Sequence, residues 1–323
     1  MRIGVMIGPE RGDTARKVAR MLDDVEWAES AGLDTAWIPQ VPTDFDALMT
    51  IALMGTRTSR IELGTAVVPL HAQHPITLAR QALSAHAATA GRLTLGVGPS
   101  HHLIVHDMLG LSYDKPAAYT RDCLDVLNPA LHGARQVDIH NSTFTVHHPL
   151  DLTPVAPVSV MVSALAPTML RLAGEQADGT ILWMADERAI SEHIAPRITE
   201  AARDAGRRTP RIVAGLPVCL CRPSEVDEAK ARTNRILGRD ENFPNYRRLL
   251  RHGNSDTIGD MCLAGDEEAI AAGLRRYADA GATDISVRLL PIGDDRDSLI
   301  TSKHRTRQMI ADIADELHGE PTS

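Results

Sequence analysis

The sequence predicts an α/β protein, a (β/α)8 TIM barrel in a single domain of 323 residues, and three observations predict it. Short apolar runs alternate with longer amphipathic stretches from end to end, the pattern of βα units around a parallel sheet. The glycine fingerprint GxGxxG of a dinucleotide-binding sheet is missing after the first run. The units also continue to the C-terminus with no second domain. Counting strands alone admits a closed barrel or an open doubly wound sheet; the last two observations favour closure.

Ile3–Ile7 is the first apolar run. It leads through Gly8-Pro9 into Thr14–Ala31, where Val18, Met21, Leu22, Val25 and Ala28 recur at helical spacing before Gly32 supplies a stop. Strand Thr35–Ile38 with helix Phe45–Thr56, and strand Ile61–Val68 with helix Ile76–Ala90, repeat the unit. Strand Leu93–Val97 follows, then a polar loop, then helix Pro116–Leu131. Residues 133–157 break the rhythm: Gln136–His140 and Thr143–His147 alternate around Asn141-Ser142 as a β-hairpin does, which predicts an insertion. Order resumes with strand Val158–Val162, helix Pro167–Glu175, strand Gly179–Trp183, helix Arg188–Gly206 and the long strand Arg211–Cys221. The arginine-rich stretch 222–256 has helical patches but no clear strand and reads as a second insertion. Helix Glu267–Ala280, strand Asp284–Leu289 and a helix from Ser298 to Leu317 complete the pattern.

A net charge of -8 provides no basic field for a nucleic-acid backbone or an anionic membrane, so neither partner is expected. No apolar run reaches the ~18–20 residues of a membrane span, and the N-terminus enters a strand without a signal-peptide pattern. A cytoplasmic location is expected. Cys123, Cys219, Cys221 and Cys262 form no CxxC pair and no zinc spacing, as in a reduced protein with buried thiols.

In a barrel the active site lies where strands end and βα loops begin. Three such loops look specialised. In Val162–Pro167 the small residues Ser163, Ala164 and Ala166, with Leu165, lie between a strand and a helix. Backbone N–H groups there would suit a phosphate, though a plain βα turn has the same composition. In Leu95–His102, Gly96 and Gly98 leave room for a ligand, and Pro99 leads to Ser100, His101 and His102, which carry polar and titratable groups. The third, Leu63–Pro69 with Thr65, Ala66 and Val67, offers a small-residue ledge for a flat ring. Trp37 and Trp183 fall near strand ends in a chain with 3% aromatics. Either could simply fill the core, but Trp183 is expected to line the pocket.

Other chemistries lack their motifs: no GxSxG elbow, HExxH or P-loop is present. Histidines cluster at 71/74, 101/102/106 and 147/148, yet no HxH follows the first strand and strand-end carboxylates are sparse, so no catalytic metal is expected.

Several segments together resemble a known family: Asp24–Ile38, Ile61–Pro75, Ala90–His102, Met161–Ala185 and Gly265–Val287 are similar to luciferase-like proteins, the middle three to the F420-dependent branch found in actinobacteria. The resemblance implies coenzyme F420 at the strand C-termini, with FMN as the alternative cofactor, a small-molecule substrate and a homodimer. Carried over by position, Ala66–Val67 would be a non-prolyl cis peptide backing the deazaflavin ring. Gly98, Pro99, Ser100 and His101 would border the ribityl and phosphate region. Ser163–Ala166 would hold phosphate, and Gln40 would stand at the ring's polar edge. Dehydrogenases of the family carry an acidic pair where this chain has Pro39-Gln40-Val41, and His101 stands in place of a glutamate. Gln40 cannot accept a proton at neutral pH.

The resulting expectation is hydride transfer between deazaflavin C5 and an organic substrate. Reduction of an activated C=C or C=N bond is the preferred direction, with His101 or His102 as proton donor or relay. The rivals are an FMN-dependent monooxygenase and a non-catalytic flavin-binding protein.

Overall fold

The computed structural model describes residues 1–8, 13–238 and 243–319; Pro9–Gly12 of the expected first βα loop and residues 239–242 of the second insertion lie outside the described residues. In chain order the elements are β1 (Arg2–Met6), α1 (Thr14–Ser30), β2 (Thr35–Ile38), α2 (Ala47–Gly55), β3 (Glu62–Thr65), β4 (Val68–Pro69), α3 (Pro75–Ala88), β5 (Leu93–Gly98) and α4 (Pro116–Leu131). Next come β6 (Gln136–His140), β7 (Thr145–Pro149), β8 (Ser159–Val162), α5 (Pro167–Gln176), β9 (Gly179–Trp183), α6 (Ala195–Asp204) and β10 (Arg211–Leu220). The chain continues with α7 (Val226–Leu237), α8 (Pro244–Leu250), β11 (Leu263–Gly265), α9 (Glu267–Asp279), β12 (Asp284–Leu289) and α10 (Arg296–Gly319).

Eight parallel strands pair in the order β10-β12-β1-β2-β3-β5-β8-β9, and β9 pairs back onto β10, with Gly179 beside Arg211 and Trp183 beside Gly215. That last pairing closes the ring and settles barrel against open sheet. Short β4 and β11 flank β5 and β10. Trp37, Met161, Ile181 and Val213 fill part of the barrel interior, and Trp37 is fully buried. A Cβ on Gly64 would lie 2.3 Å from the Trp37 ring, so only glycine lets that indole cross the barrel. Among the described residues, no helix is long and apolar enough to cross a membrane. All four cysteines are free and buried.

Four readings need correction. The predicted strand Ile61–Val68 is interrupted after Thr65 and resumes as β4. The second hairpin strand starts at Thr145, because the Asn141 side chain accepts the Thr143 and Phe144 N–H groups and lengthens the turn. The loop before α4 contains a π-helical turn, Leu103–Met108. The strand β11 was not anticipated, since three residues carry no periodic signal.

Candidate active site at the barrel mouth

The ends of β3, β5 and β8 converge. The peptide bond between Ala66 and Val67 is cis, and after it Val68 pairs beside Val97 and Pro69 beside Gly98. Thr65 bridges this break: its buried hydroxyl donates to the Gly96 carbonyl at 2.7 Å and accepts the Gly96 N–H at 2.8 Å. Thr65 therefore acts as a strut, leaving half-buried Ala66 and Val67 as the available ledge. A Cβ on Gly98 would lie 2.9 Å from Ser163 Oγ and 3.0 Å from a Val67 methyl, a measure of how closely the three loops meet.

Two non-glycine residues just beyond strand ends have left-handed backbone, Ser100 with φ of 63° and Met184 with φ of 59°. Such a conformation costs about 1–3 kcal/mol and persists where the surroundings over-determine it. At Ser100 the hold is visible: the Tyr113 hydroxyl donates to its carbonyl at 2.7 Å. Tyr113 leans on buried His71, which stacks on Tyr119 with centroids 4.2 Å apart.

The two adjacent histidines have different surroundings. Half-buried His101 stacks on Phe243 at 3.9 Å and 11°, and meets Tyr246 at 5.5 Å. Burial holds its imidazole below the ordinary value, so it is neutral near pH 7. His102 is exposed, stacked on His106 and edge-on to Tyr113. Gln40 is half-buried, with its amide oxygen accepting the Ala47 N–H at 3.3 Å at the start of α2.

In the Ser163–Ala166 loop the Ser163 N–H is already bonded to the Val97 carbonyl at 2.9 Å. Ala166 is the N-cap of α5, Pro167 is in the first turn, and no side chain caps the helix. The uncapped first-turn amides are of the kind that bind anions. Buried His193 donates from Nε2 to the Leu165 carbonyl at 2.8 Å and so pins this loop. Its own titration is shifted down by burial.

The described part of the second insertion packs against the mouth loops and is held at three places. Phe243 and Tyr246 lie on His101; His252 stacks on His193 at 3.9 Å and 6°. Buried Asp186 accepts N–H groups from Asn254 at 2.6 Å, Ser255 at 2.9 Å and Ala189 at 2.9 Å. Trp183 packs with Met184, Ile258, Met261 and Tyr246, so it lies against this cover. Sequence reading missed Phe243, Tyr246, Asp186, His193 and His252. The scarcity of aromatics that singled out Trp37 and Trp183 applied equally to Phe243 and Tyr246. The others carried no local signal, because their partners are distant in sequence: Asp186 and Asn254 are 68 residues apart.

The luciferase-like monooxygenase family matches residues 1–284 of this barrel. The chain belongs to that family. This luciferase-like protein is 24% identical over 278 residues to 5,10-methylenetetrahydromethanopterin reductase of Methanolobus tindarius, covering 85% of this chain and 83% of the relative. It is 28% identical over 196 residues to a protein of Mycobacterium tuberculosis named for coenzyme F420-dependent oxidoreductase activity, covering 55% and 54%. The FMN-bound 3,6-diketocamphane monooxygenase of Pseudomonas putida superposes with a TM-score of 0.74 at 18% identity, covering 97% and 98%. Similar luciferase-like proteins are thus named for F420 or bound to FMN, and their shared chemistry is redox chemistry on a flavin-type cofactor.

Proposed function

We propose that this protein is an F420-dependent oxidoreductase that reduces an activated C=C or C=N bond in a small organic substrate. The observation that carries the reading is the meeting of three features at one mouth: the Ala66-Val67 ledge, the close approach at Gly98, and the uncapped start of α5. The residues present fit the cofactor. When bound, the deazaflavin supplies the hydride at C5.

The chain does the rest. Ala66 and Val67 give an apolar backing, and Gly98, Pro99 and Ser100 border the ribityl region. The amides of Ala164, Leu165 and Ala166 hold phosphate, the Ser163 amide being committed to Val97. Gln40, its oxygen turned to Ala47, keeps an amide N–H for the ring's polar edge. Neutral His101 relays the proton, taking one at one ring nitrogen as it gives one up at the other, and Phe243 and Tyr246 keep water off its face. Reduction is favoured over oxidation because Gln40 stands where the dehydrogenases keep an acid, which leaves no strong base there.

Titration of the purified protein with F420 and, separately, FMN tests the assignment. Saturable binding of F420 with FMN much weaker supports it; tight FMN binding with oxygen consumption in the presence of reduced FMN overturns it in favour of a monooxygenase. The shared barrel of the FMN-bound relative supports that second reading. Tight cofactor binding without turnover on any acceptor would indicate a binding protein. The same reading makes the protein a homodimer, which light scattering checks.

A further inference from the structure

One side-chain cluster beside the mouth has no part in the chemistry above. His102, His106 and Asp107 lie on and before the π-helical turn Leu103–Met108, and their ligand atoms fall within 4.8 Å of one another. Among the described residues this is the one group of three His, Cys, Asp or Glu side chains so arranged. We propose that His102, His106 and Asp107 form a binding site for a divalent transition-metal ion of the zinc, copper or nickel class.

The spacing comes first. Positions 102 and 106 fall on one face of a helical turn, and the two imidazoles stack with centroids 4.8 Å apart and planes 26° apart. Asp107 Oδ1 lies 2.8 Å from His106 Nδ1 and 3.9 Å from His102 Nδ1. A tetrahedral site with bonds of about 2.0–2.1 Å spaces its ligand atoms about 3.3 Å apart, a value that these two distances bracket. All three side chains are exposed, so rotation about their own bonds can complete the site without moving the backbone.

The donor set selects the ion. Two imidazoles and one carboxylate suit zinc, copper or nickel, whereas magnesium and calcium take oxygen ligands. The imidazoles border a cavity of about 370 Å³ whose lining includes Ser112, Tyr113 and Asp114. That volume leaves room for water, or for Asp114, in the remaining coordination positions. The site lies on the turn directly after His101, where a bound ion would stiffen the loop carrying Ser100.

Calorimetric titration of the chelator-stripped full chain with zinc chloride, with no cofactor present, tests the proposal independently of the cofactor assignment. One equivalent should bind saturably, with His102→Ala and His106→Ala each weakening binding by about tenfold or more and Asp107→Asn by about tenfold. Paramagnetic resonance with copper(II) should show nitrogen coupling from two imidazoles in the parent and one in each histidine variant. His147→Ala, in the exposed His147–Asp138 pair of the hairpin, should leave the titration unchanged. Absence of saturable binding, or binding of equal strength in the His102→Ala/His106→Ala double variant, overturns the proposal.

Discussion

The two ends of the barrel are built from different interactions. At the N-terminal end of the strands, charges are saturated. Arg211 bonds to Asp284 at 2.6 and 3.3 Å and to Glu62 at 2.9 Å, while Arg2 pairs with the same two carboxylates at 3.4 and 2.8 Å. Asp284 is 1% exposed. Nearby, Glu29 accepts the N–H groups of Ser59, Arg60 and Ile61; burial alone would raise its titration, but these backbone bonds bring it down to about 2. The mouth adds stacked rings, His101 on Phe243 and His193 on His252, to its own buried polar contacts, the Lys17–Asp44 ion pair and Asp186 among them. Saturated charge networks fix a geometry and leave no group for a ligand. Stacked rings are individually weak and can part and re-form, which is what a covered site requires. With the proposed site at the mouth, stability and function would sit at opposite ends, the division expected of this barrel type.

The sharpest way to break this comparison is Arg211→Met. It leaves Glu62 and buried Asp284 with Arg2 as their cation beside the Thr94 and Thr283 hydroxyls, and should cost about 3–5 kcal/mol in urea unfolding, with cofactor affinity of the folded protein unchanged. A loss of affinity without a loss of stability would refute the division. Asp186→Asn comes next. It weakens charge-assisted bonds worth about 1.5–3 kcal/mol, and hydrogen exchange at residues 243–256 should quicken more than in the barrel strands. Uniform quickening would mean that the cover and barrel are one cooperative unit.

Phe243→Ala should cost only about 0.5–1.5 kcal/mol of stability, the scale of one ring pair, yet weaken substrate binding and alter the pH dependence of turnover through His101. His101→Ala with turnover unchanged across pH would remove that histidine from the chemistry. The smallest effect is on pH and sharpens the comparison. His71, His101 and His193 are held below 6.5 by burial, so the unfolded chain takes up more protons than the native one as pH falls below that value. Their contribution is intact above pH 6.5 and declines below it. Glu29 contributes above about 4.5 and loses that contribution as pH falls toward about 2. Buried His86, beside the start of β5 at the opposite end, is also held down by burial, so hydrogen exchange between pH 6.5 and 5 should loosen both ends, while the Glu29 contacts persist to lower pH.

Much of the barrel was legible because local signals agree there with the global fold. Thr35–Ile38, Gly179–Trp183, Asp284–Leu289 and the helix Pro116–Leu131 have the bounds read from apolar runs and their flanking residues. The misreadings occur where geometry depends on something other than pattern. The cis bond at Ala66-Val67 is present as the family resemblance implied, but no residue type encodes it, so the apolar pattern read as one continuous strand through it. The hairpin turn depended on which backbone groups the Asn141 amide would accept. At the proposed site, the loops Gly98–His101 and Ser163–Ala166 stood out by their residue types. What lies over them was not, since His101 meets Phe243 only through the fold. The expected Ser163 amide donor was likewise lost to a cross-strand bond with Val97.

The segment that packs against the mouth loops leaves and returns at the same place. Leu220 pairs beside Gly265, and the Cys221 N–H donates to the Gly265 carbonyl at 2.8 Å, so its stem is stitched shut on β10. The ring of eight strands closes without it. The described residues of this segment, 222–238 and 243–262, therefore hang from one stem outside the ring, so exchanging the segment between relatives should leave the underlying scaffold intact.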